Sequence, residues 1–166
     1  LYLFQASQLT SIVPGFGGVW AACAPYILFI PDRNGDDVPD SEPEVVLDGF
    51  DNESVRHNIV NGLKWGPDGW LYGRHGILAS SEVGVPGTPR EKRKRINCSI
   101  FRFHPITKFF DVICHGTTNS WGHDWDQHGQ LFFINSVIGH LWHALPASKP
   151  LFSMFHRCHT CRRRGL

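Results

Sequence analysis

The chain has 166 residues, 42% of them hydrophobic and 13% aromatic, enough for one compact domain with a core and too much for a disordered chain. A formal net charge of +1 gives no overall field to draw nucleic acid or an anionic membrane, and no apolar run approaches the roughly 20 residues of a membrane-crossing helix. The basic runs Arg90–Arg95 and Arg162–Arg164 are local exceptions, expected to be solvated.

The opening LYLFQASQLT has no initiator methionine, basic n-region or cleavage pattern, so the expectation is a piece of a longer protein whose location its start does not reveal. A first strand is expected in GGVWAA from Gly17, a second in YILFI (Tyr26–Ile30) and a third in EVVLDGF (Glu44–Phe50). Between the last two lies PDRNGDDVPD. Asp32, Asn34, Asp36, the Val38 carbonyl and Asp40 fill positions one, three, five, seven and nine of a calcium loop, where hard oxygens wrap a hard cation. Asp37 stands where that loop has glycine, and Pro43 where it has a bidentate glutamate. Two readings stand: a calcium ion that staples a hairpin, or a solvated turn held by Asx-type hydrogen bonds.

The glycine-led strand recurs as GWLYGR from Gly69 and GQLFFI from Gly129. The second copy continues through SIFRF (Ser99–Phe103) and DVICHG (Asp111–Gly116), the third through HLWHAL (His140–Leu145). Strands in NGLKWGPDG from Asn61 and NSWGHDWDQHG from Asn119 precede these two copies, and the turns PDG and QHG supply glycine where a hairpin needs positive φ. The stretch Ala79–Asn97 is polar, rich in proline and glycine and without period, and is expected to be a long loop.

The unit is therefore four short antiparallel strands. The chain divides into the remainder of a first unit with its Asp-rich loop (1–50), a second unit with a polar insertion at 79–97 (51–116), the start of a third (117–146) and an atypical tail (147–166). The tail shows neither strand alternation nor a repeat match and is expected to be disordered or frame-shifted. The fold class this implies is all-β: about two and a half blades of a β-propeller, an open arc with unpaired edges.

Five cysteines without regular spacing form no disulfide framework. Cys98 and Cys114 are the one plausible pair, since a hairpin around Ile106 brings them opposite each other. The CxxC at Cys158–Cys161 is followed by Arg162, where a c-type haem attachment site has histidine. His140 and His143 are three apart on an expected strand and face opposite sides, which argues against zinc.

With GFGGVWAACAPYILFIPDRNGDDVPD, NGLKWGPDGWLYGRHG and HGTTNSWGHDWDQHGQLFFINSVIGHLWH in view, the chain resembles, over roughly Val13–Pro146, the membrane-bound dehydrogenase propellers of planctomycete and related bacteria, the PVC-type haem-binding family. These are similar in turn to the soluble glucose and sorbosone dehydrogenases. The resemblance implies a six-bladed fold, an exported or periplasmic protein, oxidation of a small-molecule sugar or polyol with pyrroloquinoline quinone, and electron transfer to a cytochrome or to a c-type haem domain outside this chain. It implies a catalytic base at His57, which is one residue out of register, against the plainer role of a hydrogen-bonded loop histidine. The quinone-binding motif is matched at Gly116, Asn119 and Gly122, but Thr118 replaces its arginine and Ser120 its proline. Asn119 is then a cofactor contact or a turn cap, and Arg74 and His75 follow an inner strand where they would line a central channel. The other class of function is a propeller that binds carbohydrate or protein without redox chemistry.

Overall fold

The computed structural model describes residues 8–54, 57–116, 118–137, 141–144 and 161–163. They form an all-β structure of antiparallel sheets. The first sheet takes β1 (Leu9–Pro14), β2 (Gly18–Cys23), β3 (Tyr26–Pro31) and β4 (Glu44–Asp48) in chain order. In the second, β5 (Asn61–Trp65) and β6 (Leu71–His75) are followed by a separate hairpin of β7 (Ser81–Val83) and β8 (Lys94–Ile96), after which β9 (Ser99–Phe103) and β10 (Phe110–His115) complete the order β5-β6-β9-β10. The third runs β11 (Ser120–Trp125), β12 (Leu131–Asn135), β13 (Leu141–Ala144) and β14 (Cys161–Arg163).

The repeat-bearing hairpins form for local reasons. Gly69 and Gly129 adopt φ of +78° and +73° at the β5–β6 and β11–β12 turns, a conformation cheap only for glycine. An aspartate serves each turn, Asp68 from within and Asp126 from just ahead: Asp68 Oδ1 accepts the Trp70 N–H, and Asp126 Oδ1 accepts those of His128 and Gln130.

Period-two alternation then sorts the side chains between two cores. Leu71 of β6 joins Trp20, Leu47, Phe50, Phe101 and Phe103 between the first and second sheets. Its neighbour Tyr72 turns the other way, to Ile100, Leu131 and Phe133 between the second and third. Every residue of β6 is buried, because its sheet is covered on both faces. The leading strands lie side by side: Thr10 Oγ1 donates to the Val60 carbonyl at 2.6 Å, the Leu63 N–H to Ser11 Oγ at 2.9 Å, and Lys64 of β5 pairs with Asp124 of β11 at 2.7 Å.

Four expectations change. The leading strand of the first unit, β1, has no recognisable repeat signature; its Thr10 and Ser11 hydroxyls serve the neighbouring sheet instead of an apolar stripe. The insertion at 79–97 is not all loop. In β7, Ser81 and Val83 are buried and Glu82 exposed, an alternation masked because one inward residue is a serine that hydrogen-bonds within the fold. The third sheet is not left incomplete, since Cys161–Arg163, inside the tail set apart from the repeats, pairs with Trp142–Ala144 of β13. Finally, Cys98 and Cys114 do not face each other. A register shift in the β9–β10 pair sets Cys114 against Ile100, while the Cys98 carbonyl receives the Gly116 N–H.

Candidate functional site

The Asp-rich loop joins β3 to β4, the last two strands of the first sheet. Asp32 organises it: Oδ1 accepts the N–H groups of Gly35 and Asp36, and Oδ2 that of Asp37. Asn34 and Asp36 bond to each other, Asp36 Oδ1 accepts the Val38 N–H, and Asp40 Oδ2 accepts that of Arg33. Asp37, in the place a calcium loop gives to glycine, has φ +62°. These are the Asx-type bonds of the solvated-turn alternative, and the carboxylates already serve backbone donors. Asp32→Ala strips three N–H groups of their acceptor and is expected to cost about 1 kcal/mol of stability in urea unfolding. An unchanged midpoint would show that these bonds do not hold the loop.

His75 is fully buried and stacks on Phe50. Its Nδ1 lies 2.8 Å from the Gly76 carbonyl, which makes that nitrogen the donor, and its Nε2 then accepts from the Ser81 hydroxyl at 2.8 Å. Burial pushes its pKa down to about 4. Both ring nitrogens are committed within the fold, so His75 lines no channel and offers nothing to a cofactor. His57 is exposed in the segment leading into β5. Among the described residues, no group of three or more His, Cys, Asp or Glu side chains is disposed to hold a metal ion; His140 lies outside them, and His143 Nε2 pairs with Gln130.

The polar groups that stand out lie between the second and third sheets, where β6 and β12 end and β5 and β11 begin. Both leading strands carry a register shift there, between Asn61 and Lys64 and between Ser120 and Gly122. The Arg74 guanidinium lies against Gly62, whose φ is +61°; a Cβ there would overlap it. A Cβ at Gly122 would lie 3.8 Å from Arg74 Nη1. Gly62 thus makes the room that the arginine fills, and Gly122 lies in ordinary contact with it.

Arg74 is 9% exposed and its guanidinium has no ion pair or hydrogen bond among the described residues; Nε is buried without a partner. Burial lowers its pKa to about 10. Asn61, its register partner, donates to the Ile59 carbonyl and leaves Oδ1 unpartnered. Asn119 donates to Ser136 Oγ at 2.7 Å and also leaves Oδ1 unpartnered. Among the described residues neither side-chain amide atom of Asn135 has a partner, nor does either ring nitrogen of His123. Burial first, then the charges of Arg74 and Lys64, hold the His123 pKa down at about 3, so this ring is neutral. Buried polar atoms without partners are costly and uncommon; among the described residues Asn61, Arg74, Asn119 and Asn135 carry theirs at this end, His123 carries its two further along β11, where its ring packs on Tyr72 and Trp125, and Arg102 Nε, Trp142 Nε1 and Gln8 Oε1 lie elsewhere.

Of the residues singled out in the sequence, the structure brings Arg74 and Asn119 to this end, leaves His57 exposed before β5 and buries His75 elsewhere. It adds Asn61 and Asn135, with His123 further along β11. Asn61 was findable as the counterpart of Asn119 in the repeat. His123 and Asn135 carried no signal, since each closes a gap only when another sheet faces it.

Fold and site together define an all-β protein of stacked four-stranded antiparallel sheets, with a cationic, amide-lined site between two of them. The chain belongs to the family described as Domain of unknown function (DUF7133), whose model matches residues 4–157. No curated protein and no solved structure matches it. Among the described residues no helix is long and apolar enough to cross a membrane.

Proposed function

We propose that the chain is a section of a six-bladed-type β-propeller dehydrogenase, exported from the cell, that oxidises a sugar or polyol and passes electrons to a quinone or to a c-type haem outside this chain. The observation that carries this is the convergence of Asn61, Arg74 and Asn119 where the leading strands of two adjacent sheets begin. Exposed Ile12 on the first sheet and Ile134 and Leu141 on the third lie on faces turned away from the second sheet, as further blades would require.

The residues present fit a quinone that carries carboxylates. Thr118 stands where the quinone motif has arginine, and Arg74 offers a guanidinium from the neighbouring sheet. Arg74 and Asn119 would hold pyrroloquinoline quinone, which supplies the hydride acceptor when bound. His57 would take the proton from the sugar hydroxyl, and its exposure in the segment before β5 leaves it accessible to a soluble substrate. Asp32, Asn34, Asp36, Asp40 and the Val38 carbonyl do not fit calcium, because the carboxylates are engaged on backbone N–H groups.

The test is dye reduction by the full-length protein with pyrroloquinoline quinone, calcium and a panel of sugars and polyols. His57→Ala is expected to lower kcat by about a hundredfold or more with quinone uptake unchanged. No quinone uptake and no sugar-dependent reduction would end the redox reading. A second reading, a propeller that binds carbohydrate without redox chemistry, is favoured by a separate cleft at the other end of the same interface, where Tyr72, Trp125, Arg102 and Gln130 combine aromatic faces with polar groups.

A further inference from the structure

We propose that Arg74, with Asn61, Asn135 and His123, forms a binding site for a polyhydroxy carboxylate, the chemical class of the sugar acids. The inference rests on the ligand-binding part of the reading above and not on its redox part; it concerns the quinone-free chain, since the same Arg74 guanidinium is the group proposed to meet a quinone carboxylate.

The charge argument comes first. Arg74 is nine-tenths buried and carries a full positive charge at neutral pH, with no carboxylate paired to it among the described residues. A buried cation left so is expensive, and an anion is what offsets it. The other charged residues of these two sheets named so far do not change that balance: Lys64 and Asp124 pair with each other at 2.7 Å, and Arg102 is shared between Asp68 and Asp111. One net positive charge beside a neutral His123 matches a monoanion better than a phosphate dianion, and a planar guanidinium fork matches a carboxylate.

The remaining partners call for hydroxyls. Asn61 has its nitrogen engaged on the Ile59 carbonyl, so the atom left is an acceptor. Asn135 has an acceptor and a donor unpartnered, and His123 one of each in its neutral form. A plain carboxylate would satisfy the donors and leave the acceptors bare. A molecule with hydroxyls next to its carboxylate answers both.

The experiment is a thermal-shift and NMR titration of the full chain with four probes at constant ionic strength: gluconate, acetate, sorbitol and inorganic phosphate. Gluconate is expected to raise the melting temperature and to move the Arg74 Nε–H resonance, with acetate binding about tenfold or more weakly and sorbitol and phosphate without effect. Arg74→Met is expected to abolish the gluconate response while melting no lower than the wild type in ligand-free buffer, because it removes an unpaired buried cation. Should that variant not fold, the resonance shift in the wild type still decides. Sorbitol or phosphate binding as well as gluconate, an unmoved Nε–H, or a wild type indifferent to all four would overturn the proposal. Gluconate binding without dye reduction would keep this site and sink the redox reading; dye reduction without gluconate binding would do the reverse.

Discussion

Phe101→Ala is expected to lower the unfolding free energy by about 3–5 kcal/mol, the largest single-residue loss considered for this chain. Phe101 on β9 is fully buried, with ring centroids 5.6 Å from Phe50 and 5.7 Å from Phe110. Its ring also covers Gly73 on β6, where a Cβ would overlap it. Truncation opens a cavity between two sheets whose backbones are held by their own ladders and cannot collapse into it. The contact with Gly73 makes a sharper test. Gly73→Ala alone forces the ring to move and should be destabilising, whereas in the Phe101→Ala background the new methyl occupies space already cleared. A double-mutant cycle by urea unfolding should therefore be strongly non-additive. Additivity within about 0.5 kcal/mol would show that the ring does not lie on Gly73 in solution.

Acidification from pH 7 to pH 4 is expected to cost about 3 kcal/mol through His75 alone. Its pKa is about 4 in the fold against an ordinary value of 6.5, with burial the largest cause. A base whose folded pKa is depressed lends its full stability above the unfolded pKa, and that stability drains away as pH falls from 6.5 towards 4. His123, held down to about 3, acts in the same direction and extends the window lower. Asp51, Asp124 and Asp126 have pKa values lowered from 3.8, the first by its hydrogen bond from Ser54, the second by Lys64 and the third by the Gln130 N–H. Their contributions are lost only as pH falls through those lower values, which separates them from the histidine step. The check is the urea midpoint from pH 7.5 to 4 for the wild type and His75→Gln. A glutamine can still donate to the Gly76 carbonyl and accept from Ser81, so the variant should fold with a visibly flatter pH profile. Parallel profiles would remove His75 as the cause.

Both predictions turn on residues that the sequence presents only in part. That Gly73 interrupts LYGRH, and that a histidine follows Arg74, is plain on inspection. What the sequence does not carry is the partner: Phe101 reaches Gly73 only after an intervening hairpin, and Ser81 reaches His75 from within a stretch that looks like featureless loop. His75 and Arg74 are adjacent and look alike as polar ends of a strand. Period two sends them to opposite faces, one into a closed hydrogen-bond chain and the other to an interface where no described residue neutralises it.

Strand positions, hairpin turns, the four-strand unit and the all-β class were determined by the sequence itself, because each depends on neighbours a few residues apart: alternation along a pleat, glycine at positive φ, aspartate capping a turn. The leading strand β1, the β7–β8 hairpin, the pairing of Cys161–Arg163 and the gathering of Asn61, Arg74 and Asn135, with His123 further along β11, were decided only by tertiary structure. Those features depend on which sheet covers which face, and burial by a distant segment leaves no periodic trace in the segment that is buried.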